Sequence, residues 1–145
     1  MKANRKTGNR PEVRLRRELH RRGLRFRKNA AIRGDGWLIR PDVVFPRLKI
    51  AVFLDGCFWH ACPQHGTAPR VNQSYWLPKL KRNVDRDHTN NERLIDAEWA
   101  VVRVWEHEDT SVAAKKIAAV VQDRRRLAMA RLRTTATHRT ASKEP

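Results

Sequence analysis

The chain has 145 residues, with 32 Lys or Arg against 15 Asp or Glu, and a formal net charge of +17. This length is typical of a single domain with a substantial hydrophobic core. The charge favours nucleic acid as the partner, and a membrane surface is the alternative. No apolar run approaches the roughly 20 residues of a bilayer span, which excludes a transmembrane function and favours a cytoplasmic, nucleoid-associated protein.

Positive charge is concentrated at the two ends of the chain. Residues 1–28 carry twelve Lys or Arg against two Glu, and residues 123–145 carry seven against two acids. Basic ends on a compact domain are typical of phosphate clamps, although they also occur as solubilising tails. We expect residues 1–9 to be a flexible arm and residues 133–145 a disordered tail, which leaves 10–132 as the folded domain.

The first predicted element is a helix from Pro11 to about Arg22. Proline suits a first helical turn, and Gly23 provides a stop. Glu12 lies three residues before Leu15 and therefore shares its apolar face. Two explanations remain open: this acid has a function on the inward face, or it complements the helix dipole.

Three strands are predicted next, over residues 24–27, 37–45 and 49–55. Pro41 lies inside the second strand and favours an edge position or a bulge there. The short connection before the third strand predicts an antiparallel hairpin.

The second half of the chain alternates helix and strand. We predict a helix over 77–98, a strand over 99–105 and a last helix over 110–132 capped by Thr110 or Ser111. The apolar stripes of the two helices are expected to include Ile95 and Val112, and the first stripe has a polar gap at Asp87 and Asn91. This element order predicts a small α/β domain with a mixed sheet.

The densest cluster of reactive side chains follows the third strand, in the run Asp55-Gly56-Cys57-Phe58-Trp59-His60-Ala61-Cys62-Pro63-Gln64-His65. Cys57, Cys62 and His65 supply three of the four ligands that a tetrahedral zinc site requires. A reducing compartment favours metal binding over a disulfide. His107 is the best fourth ligand if strands 49–55 and 99–105 are neighbours; the alternative is two buried thiols and a solvated histidine.

Acidic residues on the hairpin predict a second metal site. Asp42 and Asp55 supply oxygen ligands of the kind that Mg²⁺ prefers, and such a cation can activate water towards a phosphodiester. His60 exchanges protons near neutral pH, and Glu12 could approach from the first helix. The simpler alternative is that Asp42 pairs with one of the many cations.

Aromatic and basic residues suggest how nucleic acid would be held. Phe58 and Trp59 precede His60, and Trp76 begins the long helix. For these three rings, core packing and insertion between bases are equally open alternatives. Arg10 and Arg14 are candidates for DNA contacts from the basic N-terminal segment.

Taken together, these motifs resemble the very-short-patch-repair (Vsr) DNA mismatch endonucleases over about residues 9–108. The matching strings are Arg10-Pro11-Glu12, Gly23-Leu24-Arg25-Phe26-Arg27, Arg40-Pro41-Asp42-Val43-Val44, Phe53-Leu54-Asp55-Gly56-Cys57-Phe58-Trp59-His60, Tyr75-Trp76, Lys81-Arg82-Asn83-Val84-Asp85-Arg86-Asp87 and Val104-Trp105-Glu106-His107. The Gly-Cys-Phe-Trp-His string is the most specific of them.

The resemblance implies a restriction-endonuclease-like α/β fold and a DNA nickase. Members of the family cut 5′ to the thymine of a T·G mismatch that arises from 5-methylcytosine deamination, use Mg²⁺ and carry a structural zinc. The implied roles are Asp42 and the Leu54 carbonyl as magnesium ligands, His60 as general base with Glu12 as helper, Phe58, Trp59 and Trp76 as residues inserted beside the mismatch, and Cys57, Cys62, His65 and His107 as zinc ligands.

The chain departs from the family pattern at Asp55, where some members carry histidine, so a direct magnesium contact by Asp55 is an open alternative. The resemblance also implies cooperation with mismatch-repair proteins, and we expect the protein to be a monomer. Two other functions stay open: a restriction-like DNA endonuclease without mismatch preference, and a non-catalytic DNA-binding module stabilised by zinc.

Overall fold

The computed structural model describes residues 10–56 and 73–141, and every structural statement below concerns these residues. The helices are α1 (Pro11–Arg21), α2 (Gln73–Asp96) and α3 (Thr110–Ala141). The strands are β1 (Arg27–Lys28), β2 (Ile32–Gly34), β3 (Trp37–Ile39), β4 (Val43–Phe45), β5 (Ile50–Asp55) and β6 (Ala100–Trp105). Within these ranges, no helix combines the length and apolarity that crossing a membrane requires.

A four-stranded mixed sheet lies at the centre of the fold, in the order β1-β4-β5-β6, and β2 pairs with β3 as a separate hairpin. The pair β4–β5 is antiparallel, with Val43 opposite Val52. The pair β5–β6 is parallel, with Asp55 opposite Trp105. The predicted mixed sheet and the predicted hairpin are confirmed, and the carboxyl ends of β5 and β6 lie side by side.

Helices cover both faces of this sheet. Leu19 of α1 and Ile117 of α3 are fully buried against one face, together with Val52 of β5. On the other face, Leu94 of α2 is fully buried against Ala51. Each such aliphatic side chain contributes about 1.5–3 kcal/mol by leaving water.

The end of α1 confirms the stop predicted at Gly23. Gly23 has a φ of 75°, in the left-handed region that glycine adopts without steric cost. Its N–H donates to the carbonyl of His20, and the N–H of Leu24 donates to the carbonyl of Leu19, which is the Schellman pattern. Leu24 is buried and forms part of this cap, so the strand predicted from residue 24 begins only at Arg27.

The single strand predicted over residues 37–45 is wrong. The structure divides it into β3, which belongs to the small hairpin, and β4, which belongs to the central sheet. Pro41 lies at the break, since it has no N–H to donate to a neighbouring strand. The break places Asp42 immediately before β4, where its carbonyl accepts a hydrogen bond from the Asn29 N–H at 3.3 Å.

Helix α2 begins at Gln73, earlier than predicted, and ends at Asp96. Glu98 provides the left-handed residue after the helix, with a φ of 66°. The predicted inward position of Ile95 is wrong, because this side chain is 60% exposed while the adjacent Leu94 is fully buried.

Helix α3 is capped by a residue that the sequence analysis did not select. The carboxylate of Asp109 accepts hydrogen bonds from the N–H groups of Ser111 and Val112 at 2.9 and 3.2 Å, which corrects the predicted cap at Thr110 or Ser111. Val112 is exposed and not inward as predicted. The helix continues to Ala141, into the segment predicted to be a disordered tail, and residues 142–145 lie outside the described ranges.

Candidate functional site

Asp42 is held at the amino end of β4 by the neighbouring strand. Its Oδ2 accepts a hydrogen bond of 2.7 Å from the backbone N–H of Leu54. The antiparallel pairing of β4 with β5 explains this contact, since it brings the two residues to the same end of the hairpin. Asp42, the predicted cation ligand, is therefore hydrogen-bonded to the backbone of Leu54, whose carbonyl is the second predicted ligand of the same cation.

The surroundings of Asp42 favour a bound proton or a cation. Burial is the largest influence on the pKa of Asp42 and raises it above its ordinary value. The hydrogen bond from Leu54 and the positive charge of Arg16 lower this pKa, whereas the negative charges of Glu12 and Asp55 raise it. The net direction is upward, so the ionised carboxylate is under-compensated in the protein alone. Oxygen donors in this condition fit a hard divalent cation such as Mg²⁺.

Glu12 and Arg16 reach this site from α1, where a spacing of four residues places them on one face. Glu12 is half-buried and is near enough to raise the pKa of Asp42, which supports a function on the inward face. Arg16 Nη2 donates to the Asp42 carbonyl at 3.4 Å, and its Nε is buried without a hydrogen-bond partner in the described structure. Sequence reasoning missed Arg16, although its spacing from Glu12 was the available signal.

Asp55 is in a different environment. It is 6% exposed, and both of its carboxylate oxygens accept hydrogen bonds from Arg103 Nη1, at 2.9 and 3.2 Å. The same guanidinium donates from Nε to Asn91 Oδ1 at 2.8 Å and lies 4.2 Å from the ring centre of Phe53. The polar gap predicted on α2 is thus filled from β6 by a residue that the sequence analysis did not single out. An arginine inside a run of valines was the available signal.

The first turns of α2 carry an exposed aromatic cluster. The rings of Tyr75 and Trp76 meet edge to face at 5.0 Å. Lys79 Nζ donates to the Tyr75 hydroxyl at 2.6 Å and lies 4.1 Å from the centre of that ring. Tyr75 is 54% exposed and Trp76 is half-buried, so one cation and aromatic faces are presented together to solvent. Such a group suits stacking on nucleic-acid bases.

The predicted zinc site requires β5 and β6 to be neighbours, and this condition is confirmed, since Asp55 is paired with Trp105 at their carboxyl ends. In the sequence, Cys57 comes two residues after Asp55 and His107 two residues after Trp105. His107 is exposed, and its ring stacks on Trp105 with 6.3 Å between centroids.

Six predicted site residues lie outside the described ranges: Cys57, Phe58, Trp59, His60, Cys62 and His65. Within the described ranges, no group of three or more His, Cys, Asp or Glu is placed to hold a metal ion. Mg²⁺ does not require such a group, since it commonly binds one or two carboxylates and completes its shell with water and phosphate oxygens.

The two predicted arginines on the surface are accessible at the beginning of α1. Arg10 and Arg14 are both exposed, and Arg10 Nη1 lies 4.0 Å from Glu12 Oε1, at the limit of an ion pair. An exposed ion pair of this kind contributes little to stability, so Arg10 can leave Glu12 for a phosphate group at little cost in free energy.

A helix-flanked mixed sheet with an under-compensated carboxylate held by a backbone N–H of the neighbouring strand fits the restriction-endonuclease-like class of nucleases. The family model described as DNA mismatch endonuclease Vsr matches residues 1–65. The chain is 53% identical over 122 residues to the type II nicking enzyme V.NaeI of Lentzea aerocolonigenes, covering 83% of this chain and 72% of the relative. It is 35% identical over 133 residues to the type II nicking enzyme V.NmeDIP of Neisseria meningitidis serogroup C, covering 88% and 86%.

A third relative is the DNA mismatch endonuclease Vsr of Escherichia coli K12, 36% identical over 100 residues, which covers 66% of this chain and 59% of the relative. The chain belongs to the Vsr family of DNA mismatch endonucleases. It is thus a DNA endonuclease of the Vsr type, and the nucleic-acid partner expected from its charge is DNA.

Proposed function

We propose that the protein nicks one strand of duplex DNA 5′ to the thymine of a T·G mismatch, by Mg²⁺-dependent phosphodiester hydrolysis, and so initiates very-short-patch repair. The observation that carries the proposal is the Asp42–Leu54 contact, a half-buried carboxylate with a raised pKa held against a backbone that can supply a second oxygen. The names of the relatives support strand nicking and, in one case, a mismatch as the target.

Asp42 and the Leu54 carbonyl would hold the magnesium ion, and a further contact from Asp55 is the alternative that the Mg²⁺ dependence of Asp55→Asn distinguishes. When bound, Mg²⁺ would stabilise the negative charge that develops on the scissile phosphate. Asp42 is prepared for this role because the Leu54 N–H fixes the direction of one carboxylate oxygen and leaves the other available. Arg16 adds a positive charge at the same place, since its guanidinium donates to the Asp42 carbonyl.

The proton transfers are assigned by residue type and family position. His60 would take a proton from the attacking water, since its ordinary pKa lies close to neutral pH. Glu12 would help from α1, where its charge is near enough to influence Asp42. A neutral Asp42 would lose its metal affinity, so we expect nicking to fail on acidification.

Mismatch preference would come from aromatic residues. Phe58, Trp59 and Trp76 would insert beside the T·G pair, whose weaker stacking and pairing make distortion less costly than in a matched duplex. The exposed Tyr75–Trp76 pair with Lys79 supports this role for the beginning of α2. Arg10 and Arg14 would contact phosphates from the beginning of α1, and mismatch-repair proteins are proposed as further partners.

Zinc would be structural and held by Cys57, Cys62, His65 and His107. Two thiolates and two imidazoles are a complete tetrahedral donor set, and the side-by-side ends of β5 and β6 support the participation of His107. We expect about one zinc per chain by elemental analysis and loss of folding on chelation. Protein that contains no zinc after chelator washing and remains folded would overturn this part of the proposal.

The decisive experiment uses two duplexes of identical sequence that differ only in a T·G or T·A pair, in several cytosine-methylation contexts, with Mg²⁺ and an Asp42→Ala control. We expect a single-strand nick at T·G only, and none with Asp42→Ala. Equal cleavage of both duplexes would instead identify a restriction-like endonuclease without mismatch preference.

Binding without cleavage in every context would identify a non-catalytic DNA-binding module. Cleavage by Asp42→Ala at a near-normal rate would overturn the assignment of Asp42. Binding of that variant, measured in EDTA, shows whether the lost cleavage is a chemical defect or a binding defect.

A further inference from the structure

The guanidinium of Arg103 joins three elements of the fold at one point. It binds Asp55 of β5 through Nη1, at 2.9 and 3.2 Å from the two carboxylate oxygens. It binds Asn91 of α2 through Nε at 2.8 Å, and its Nη1 lies 3.7 Å from Asp87 Oδ1 of the same helix. Arg103 itself belongs to β6.

The sheet register explains how one side chain reaches all of these partners. Arg103 is opposite Phe53 in the parallel β5–β6 pair, and Asp55 lies two residues further on the same face. The guanidinium also lies over the Phe53 ring, 4.2 Å from its centre, which adds a cation–π contact on β5. Asp87 and Asn91 are four residues apart on α2, so both point at the same spot.

The site proposed for catalysis lies next to this network on one side. Asp55 follows Leu54, whose N–H holds the Asp42 carboxylate and whose carbonyl is the proposed second oxygen ligand. Anchoring the Asp55 side chain fixes the last residue of β5 and hence the direction of the Leu54 peptide groups. The Arg103 side chain is 20% exposed and that of Asp55 8%, so solvent competes little for the contact.

The aromatic cluster lies at the beginning of α2, the same helix that Arg103 contacts at Asp87 and Asn91. Leu94 is the buried anchor of α2 in the described structure, and Asp87 lies two turns closer to Trp76. Pro78, inside the helix near its beginning, has no N–H for the helical hydrogen-bond ladder. The direction in which α2 presents Tyr75 and Trp76 therefore depends on contacts made further along the helix, and the Arg103 contacts are among them.

We propose that Arg103 is a positioning residue that holds the carboxyl end of β5 and the aromatic end of α2 in one fixed relation, with Asp55 as its partner and not as a metal ligand. Its role in cleavage rests on the proposed function. A buried ion pair contributes little net stability relative to apolar packing but is demanding in geometry, which suits it to fixing how two elements meet. Catalysis is sensitive to such placement, since an error of about 1 Å can reduce a rate about a hundredfold.

The first test does not require activity. Amide hydrogen exchange of the full chain is compared among wild type, Asp55→Asn, Arg103→Met and Arg103→Lys, with Arg93→Met as the matched control. Arg93 is an exposed arginine on α2, so its replacement removes the same charge without touching the network. We expect exchange to accelerate about tenfold or more over residues 50–56 and 77–91 in Arg103→Met and Asp55→Asn, and to change little in α1 and α3.

Lysine at position 103 should give an intermediate result, because one ammonium group cannot serve Asp55 and Asn91 in the planar geometry of a guanidinium. It also protects the test against a methionine variant that fails to fold. Exchange over both segments that matches the Arg93→Met control in Arg103→Lys and Asp55→Asn would overturn the proposal, as would acceleration spread evenly over the whole chain.

The second test separates positioning from metal binding. On the T·G duplex we expect kcat to fall about 10–100-fold in Asp55→Asn and Arg103→Met, with the Mg²⁺ concentration for half-maximal activity unchanged. The double variant should be no worse than the poorer single variant, because both remove one contact. A large rise in the required Mg²⁺ for Asp55→Asn alone, with additive effects in the double variant, would make Asp55 a metal ligand and overturn the proposal.

If wild type cleaves neither duplex, the proposed function has failed, while the exchange experiment still decides whether Arg103 couples β5 to α2.

Discussion

Two aspartates at the same end of the central sheet have opposite surroundings. Asp42 is half-buried, accepts one backbone hydrogen bond and has a raised pKa. Asp55, at the end of the adjacent strand, is more deeply buried, and both of its oxygens are bound by Arg103. The chain thus neutralises one acid completely and leaves the other under-compensated.

This contrast indicates which carboxylate is available for chemistry. Burying a charge without a partner is costly, so a fold keeps such a group only where a ligand compensates it or where the cost serves a function. Asp42 meets that description. Asp55 does not, because its charge already has a partner within the protein.

The largest expected effect is the loss of nicking on Asp42→Asn. Removing the charge that holds the metal should reduce the rate at least about a thousandfold, since a metal ion contributes several kcal/mol to the transition state and each 1.36 kcal/mol is tenfold. Asp55→Asn should remain measurably active. Initial rates on the T·G duplex at saturating Mg²⁺ check this contrast, and the reverse order of the two variants would contradict the comparison.

The next effect is on stability. Arg103→Met should lower the free energy of unfolding by about 3 kcal/mol, because it leaves the carboxylate of Asp55 buried without its partner. Urea denaturation of the full chain measures this loss. Arg93→Met should remain within about 0.5 kcal/mol of wild type, as is usual for exposed positions. A loss of similar size in both variants would show that the effect is one of net charge.

Asp42→Asn should raise the free energy of unfolding at neutral pH. The size of this change should be smaller than the loss expected for Arg103→Met. The folded-state pKa of Asp42 is raised, so its contribution to stability is fully present below the unfolded value of 3.8 and is lost as pH rises through the folded value. Asparagine avoids that loss. The advantage of the variant in metal-free urea denaturation should therefore shrink as pH falls towards 3.8, and an advantage that grows on acidification would contradict the cause we assign.

The smallest effect is stabilisation by Mg²⁺. At about ten times its dissociation constant, Mg²⁺ should raise the melting temperature of wild type by about 2–4 °C, and EDTA should reverse the rise. Asp55→Asn should retain the shift and Asp42→Asn should lose it. Differential scanning calorimetry with Ca²⁺-free buffers checks this, and a shift that survives in Asp42→Asn would place the ion elsewhere.

Much of the site could be expected from local sequence. Asp42 is a candidate because it is an acid next to the apolar residue Val43, and Glu12 because it lies in a first helical turn, three residues before Leu15. The single strand over 37–45 failed because alternation does not show which sheet a segment joins. The cap at Asp109 was missed because a competing hydroxyl stood at the next position. The metal roles of Cys57, His60 and the other residues outside the described ranges remain predictions.

The α/β class, the basic character, the stop at Gly23 and the candidate carboxylates can be read from the sequence, because they depend on composition and on contacts within a few residues. The pairing of Asp55 with Arg103 and the hydrogen bond from the Leu54 N–H to Asp42 became visible only in the folded chain. Both contacts depend on which strands are neighbours and in what register. Partners 48 and 12 residues apart in the chain can be identified only when the sheet brings them together.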